Sequence, residues 1–222
     1  MRLVKPSFKI LEIMELYGSY GVGSDVLRAI ERAGRVCYKS EKEITEASCY
    51  PFIQKLLRLN HESVLEHSAM TVKFVCDRGV SHELVRHRLA SYSQESTRYC
   101  NYKNHITFVI PSWVNIDEGE YESAPHLSKA DINWFLAMKQ AAETYTLLLT
   151  HYHWSPQQAR SVLPNSLKTE IVMTANLREW RHVLKLRTAK AAHPQMRELM
   201  IPLLKELKGR IPIIFDDIEE EE

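Results

Sequence analysis

The chain has 222 residues, 45% hydrophobic and 26% charged, with a net charge of +1. That balance fits one domain, residues 1–222, with a substantial core, and gives no global electrostatic case for a nucleic-acid partner. No apolar run approaches the roughly 20 residues of a membrane span and Met1-Arg-Leu-Val-Lys-Pro is no secretory leader, so no membrane is implied and the expected location is cytoplasmic.

In chain order, Lys9 to Met14 reads as a strand, followed by the glycine-rich loop Gly18-Ser-Tyr-Gly21-Val-Gly23. Its GxxGxG spacing is not the dinucleotide fingerprint, so it reads as a connection. Ser24 or Asp25 can cap a helix through Val26, Leu27, Ile30 and Ala33. A second helix is predicted over Ile44 to Leu59, disturbed near Pro51. Met70 to Cys76 alternates with the strand period. Ser81 is expected to cap a short helix through Leu84, Val85, Arg88 and Leu89, and residues 91–105 read as loop. Ile106 to Ile110 follows as a strand. Ser128, with Asp131 three residues on, opens a long helix whose apolar stripe is Phe135, Met138, Ala142, Tyr145 and Leu149. Ser155-Pro156 starts another. Glu170 to Thr174 reads as a strand, Arg178 to Lys190 and Met196 to Leu207 as helices, and Ile211 to Phe215 as a last strand. The acidic stretch Asp216 to Glu222 reads as a solvated end. The predicted class is α+β, with long helices around a small, mostly antiparallel sheet.

The chemistry is densest between Arg86 and Arg98. Three arginines and three serines fall within these 13 residues. Guanidinium forks bind phosphates and planar carbonyls in bidentate fashion, hydroxyls and loop amides complete such an anion site, and Tyr92 and Tyr99 can stack on a ring. The combination suits a nucleotide. A solvated basic helix end, with Glu83 paired to Arg86 and His87, is the plainer alternative. Without its acidic tail the body is basic, which suits a small anionic substrate better than a long phosphate backbone.

The remaining candidates carry less. Cys37, Cys49, Cys76 and Cys100 show no metal-ligand spacing and read as reduced thiols, none of them catalytic. His61 and His67 lack HExxH spacing, and His151 and His153 read as surface residues, so no metal site is expected. Ser96 has no general base placed for it by sequence, and a binding role suits it better.

Arg86-His87-Arg88, seven residues, then Ser96 resemble the RHR-x(7)-S signature of flavin-dependent thymidylate synthases, and Ser91, Arg98 and Tyr99 fit its longer form. Other segments resemble the family in the same order: Arg35-Val36-Cys37-Tyr38, His61-Glu62-Ser63-Val64-Leu65-Glu66-His67, Ala159-Arg160-Ser161-Val162-Leu163-Pro164, and Asn176-Leu177-Arg178 with His182, Leu186 and Arg187. The resemblance covers roughly residues 25–200. It implies conversion of dUMP, methylenetetrahydrofolate and NADPH to dTMP, tetrahydrofolate and NADP through bound FAD, in a homotetramer with shared sites. It places Ser63, Glu66, Arg86, His87, Arg88, Asn176, Arg178 and His182 around FAD. It builds the dUMP site from Glu83, Arg86, Gln94, Glu95, Ser96, Thr97, Arg98, Arg160 and Arg187. Arg187 would act on the uracil edge, favouring loss of the N3 proton and so activating the reacting carbon.

Three positions depart from the commoner pattern: Glu83 where glutamine is frequent, Gln94 where glutamate is frequent, and Cys37 where serine is frequent. An acid at 83 beside a phosphate is unfavourable unless Arg86 neutralises it. Two other functions compete: another dUMP-binding flavoenzyme that oxidises NADPH, and a nucleotide- or RNA-binding module without flavin. The near-neutral charge and the distant Asn176, Arg178, His182 and Arg187 set disfavour the second.

Overall fold

The structure, a computed structural model, describes residues 1–14, 22–103 and 105–220, and of residues 22–24 the backbone alone. In chain order its elements are β1 (Arg2–Val4), β2 (Ser7–Ile13), α1 (Val22–Arg35), α2 (Cys49–Arg58), β3 (Ala69–Asp77), α3 (Arg78–Leu84), β4 (Ala90–Gln94), β5 (Thr107–Val109), β6 (Gly119–Glu120), α4 (Lys129–Thr150), α5 (Pro156–Ala159), β7 (Lys168–Asn176), α6 (Leu177–Thr188) and α7 (Pro194–Arg210). A 3-10 helix, Glu62–His67, precedes β3. The expected α+β class holds, with two sheets ordered β5-β1-β6 and β2-β3-β7-β4. No described helix is long and apolar enough to cross a membrane.

The chain forms two compact units, with boundaries that fall within β2, β3, β4 and β7. The first comprises Met1–Ser7, Phe74–Arg86 and Tyr92–Val172. Here β1 pairs parallel with β5 and antiparallel with β6. Leu3, Phe108, Phe135, Met138 and Tyr145 share its core. The predicted stripe of α4 is therefore the buried face, and Ser128 caps the helix by accepting from the Asp131 amide at 3.2 Å.

The second unit comprises Phe8–Lys73, His87–Ser91 and Met173–Glu222. Helices α6 and α7 pack on each other, and α1 packs on α2. Trp180 of α6 is fully buried and donates its indole N–H to the Met70 carbonyl at 2.9 Å, while the Leu177 amide donates to Ser68. These two bonds fix the start of α6. Gly34 of α1 allows a close approach: a Cβ there would stand 2.8 Å from the Phe52 ring and 3.3 Å from Val64 of the 3-10 helix.

Several expectations are corrected. Helix α1 begins at Val22, so Ser24 and Asp25 lie inside it and do not cap it; residues 18–21 of the glycine-rich loop lie outside the described residues. Helix α2 spans only Cys49–Arg58, with Pro51 tolerated in its first turn. Asp77 caps α3, accepting from the Val80 amide at 2.6 Å; Ser81 lies inside the helix, which stops at Leu84. Residues 91–94, expected in the loop 91–105, belong to β4. Residues 211–217 are turns and not a strand, with Ile213 at φ 76°. The acidic end is docked as far as Ile218, which is buried, and Asp217 pairs with Arg181.

Candidate functional site

In the first unit, the tyrosine hydroxyl of Tyr92 in β4 donates to the Leu84 carbonyl at 2.7 Å, tying the strand to the last turn of α3. That turn carries Glu83, and the Arg86 amide donates to the Glu83 carbonyl just beyond it. Gln94 donates to the Ser81 hydroxyl at 2.9 Å and the Thr169 hydroxyl at 3.3 Å. A neutral amide thus links α3 to β7, a task that needs a donor and which a carboxylate could not perform in the same way.

Glu95 accepts from Lys168 at 3.1 Å and from the Glu170 amide at 3.2 Å. Tyr102 also hydrogen-bonds to it, and burial together with this carboxylate raises the Tyr102 pKa. Glu95 therefore braces the following turn. In that turn the amides of Tyr99 and Cys100 both reach the Ser96 carbonyl, and the Ser96 hydroxyl accepts from the Arg98 amide. Arg160 donates to the Thr97 hydroxyl at 3.1 Å. Gln94, Glu95, Ser96, Thr97, Arg98 and Arg160 are thus brought together, and Arg98 and Arg160 remain exposed to solvent. Exposed guanidinium groups beside a tight turn are chemically suited to receive an anion.

In the second unit, Asn176 caps α6 by accepting from the Glu179 amide at 2.8 Å. A cavity of about 670 Å³ opens over this helix start, with Glu66, Asn176, Arg178 and His182 in its wall. Arg178 donates to Glu66 at 2.6 Å, and both are largely exposed. Four of the expected flavin residues therefore share one cavity. Ser63 is exposed on the same 3-10 helix as Glu66, and Arg88 is exposed, but neither is in the wall.

His87 is only 5% exposed. Its Nε2 accepts from Arg187 Nε at 3.0 Å, and its Nδ1 lies 3.7 Å from Glu179. The His182 ring meets it edge-on at 5.9 Å. Burial first, then the nearby charges of Arg187 and His182, push the His87 pKa down to about 4. The imidazole is therefore neutral at physiological pH, with the proton on Nδ1, because Nε2 is already an acceptor.

Sequence reasoning missed Glu62, Leu89, Glu179, Arg181 and Lys185 in the cavity wall. Arg178, His182 and Lys185 stand at i, i+4 and i+7, which places them on one helical face; that spacing could have found Lys185. Arg181 is buried, held by Glu62 at 3.0 Å, both carboxylate oxygens of Asp217 and the Ile214 carbonyl. A larger cavity in the first unit, about 750 Å³, has Met1, Lys103, Tyr121 and Thr146 in its wall and none of the expected site residues.

Residues 23–213 match the family described as thymidylate synthase complementing protein. The chain is 34% identical over 200 residues to the flavin-dependent thymidylate synthase of Geobacter sulfurreducens, covering 85% of this chain and 80% of that one. The chain belongs to the flavin-dependent thymidylate synthase family. The fold agrees. Thymidylate synthase X from Helicobacter pylori, solved with FAD and dUMP, superposes at a TM-score of 0.74 with 21% identity, over 97% of this chain and all of that one. A UMP/dUMP methylase, PolB from Streptomyces cacaoi, solved with 5-Br dUMP, superposes at 0.75 with 25% identity, over 97% of this chain and 96% of that one.

For a flavin-dependent thymidylate synthase, the cysteines stay in the background. Cys49 and Cys76 are buried, and burial pushes the Cys76 thiol up to about 12, so it holds its proton. His151 and His153 are exposed, as expected of surface histidines.

Proposed function

We propose that this chain methylates dUMP to dTMP, with methylenetetrahydrofolate as one-carbon donor and NADPH as reductant, as a cytoplasmic homotetramer. Family membership makes it a flavin-dependent methyltransferase, with FAD as the cofactor. The cavity at the start of α6 supports the reading most strongly. FAD is an anionic dinucleotide with polar ring edges. Arg178 and Lys185 offer cations to a pyrophosphate, and Asn176 and His182 offer hydrogen-bonding groups, around a space of about 670 Å³. These residues fit the cofactor. In this proposal Ser63, Glu66, Arg86, His87, Arg88, Asn176, Arg178 and His182 hold it. When bound, FAD supplies the hydride that completes the methyl group.

The protein's own part is position and charge. Arg86, Arg98 and Arg160 hold the dUMP phosphate, with Glu83, Gln94, Glu95, Ser96 and Thr97 shaping the turn beside it. Arg187 sits against the uracil edge. Its permanent charge favours the N3-deprotonated ring and makes the reacting carbon electron-rich. Neutral His87 accepts from Arg187 Nε and so helps to fix the orientation of the guanidinium.

An absorbance spectrum of the purified protein and NADPH oxidation with and without dUMP test the reading. Flavin absorption, dUMP-stimulated oxidation and dTMP formation are expected. A colourless protein that takes up no added FAD would end it. Oxidation indifferent to dUMP would favour a simple NADPH oxidase, and RNA affinity falling steeply with salt would favour a binding module.

A further inference from the structure

Glu179 is a carboxylate only 8% exposed, in the first turn of α6. Carboxylates are seldom buried unless something nearby needs their charge. Its oxygen faces His87 Nδ1 at 3.7 Å, and on the other side of that ring Nε2 accepts from Arg187 at 3.0 Å. A neutral imidazole has one N–H, and its position depends on what each nitrogen faces. A carboxylate beside Nδ1 favours the proton there. That leaves the lone pair on Nε2, where it can receive the Arg187 Nε–H. The opposite tautomer would put an N–H of His87 against an N–H of Arg187 and break the contact.

Donor atoms of His87, Glu179 and His182 also lie within 4.8 Å of one another, a spacing that suits a metal ion. Arg187 decides against that use. Its guanidinium occupies Nε2 and puts a permanent cation beside the cluster, which opposes a second one.

We infer that Glu179 is a positioning residue for Arg187, acting through the tautomer of His87. This rests on the uracil-side role of Arg187 proposed above. The chain Glu179–His87–Arg187 would hold the guanidinium in one orientation before substrate arrives. Partners that orient metal-ligating histidines are worth about 10–100-fold in affinity or activity, and a loss of that order is expected for this arrangement.

The test begins without substrate or cofactor turnover. In protein labelled with ¹⁵N-histidine, the His87 resonances, assigned by their loss in His87→Gln, report which ring nitrogen is protonated. In the unsubstituted protein Nδ1 should carry the proton and Nε2 should not. Glu179→Gln keeps the shape and removes the charge. It should give a mixed or reversed tautomer and lower dTMP formation about tenfold or more, with FAD content retained. Glu179→Asp keeps a carboxylate and should retain the Nδ1–H form. In a His87→Gln background, Glu179→Gln should cause no further loss. An unchanged tautomer in Glu179→Gln, or fully additive losses in the double variant, would overturn the inference. Normal turnover in Arg187→Ala, with the tautomer still answering to Glu179, would instead remove the role of Arg187 and leave the link between Glu179 and His87 standing.

Discussion

At the scale of single residues, the His87–Arg187 contact separates two kinds of importance. If Arg187 activates uracil, Arg187→Ala should reduce dTMP formation by about 10²–10³, the usual cost of losing one preorganised donor. Arg187→Lys should not restore it, because lysine lacks the planar fork. An ordinary arginine near a helix C-terminus would leave turnover almost unchanged. Flavin content measured in parallel separates a lost catalytic group from a collapsed site. His87 makes a second, thermodynamic prediction. Its pKa is about 4 in the folded chain against an ordinary value of 6.5. The unfolded chain therefore takes up the proton first as pH falls. The stability that His87 contributes is complete above about pH 6.5 and is lost between there and pH 4. Urea unfolding at pH 7 and pH 5 should show a smaller difference in His87→Gln than in the unsubstituted chain. Equal differences would mean that this imidazole is not held neutral.

At the scale of elements, what the sequence made legible depended on whether the signal was local. Helix α4 could be read because its cap, Ser128, and its buried stripe are written in consecutive turns. Strand β3 could be read because Met70, Val72, Phe74 and Cys76 alternate and are all buried. Strand β4 was hidden, since Ser91, Ser93 and Gln94 are polar and their strand form comes from sheet partners distant in sequence. The run Ile211 to Phe215 misled for the opposite reason. Ile211, Ile214 and Phe215 are buried, but a short apolar run does not distinguish a strand from a docked turn. Resemblance singled out Glu66, Asn176, Arg178 and His182 of the cavity wall, whereas Arg181 was not legible, because an arginine on a helix reads as solvated. Burial makes it a structural centre. Arg181→Ala would take the donor from the Ile214 carbonyl and the shared cation from Glu62 and Asp217, which are partly exposed, and should cost roughly 1–3 kcal/mol in urea unfolding. A loss below about 1 kcal/mol would show the cluster to be no stronger than a surface ion pair.

At the scale of the whole molecule, the homotetramer is the main prediction. Leu89, Tyr99, Tyr38 and Trp113 are large apolar residues left well exposed in the single chain, and such side chains are candidates for subunit contact. Light scattering combined with the dTMP assay should find activity in a species of about four chain masses, roughly 100 kDa from the 25.8 kDa chain. A fully active monomer would show that one chain supplies a complete site.

Gly34 bears on how results from this protein are to be interpreted. It offers no side chain, yet a Cβ there would press on Phe52 and on Val64, the neighbour of Ser63 in the turn that also carries Glu66. A survey of variants scored only by growth without thymidine would rank Gly34 beside the arginines. Sensitivity in such a survey would measure how little room the backbone has, not which residues meet the nucleotide. Pairing each score with a measure of folded protein would tell the two apart.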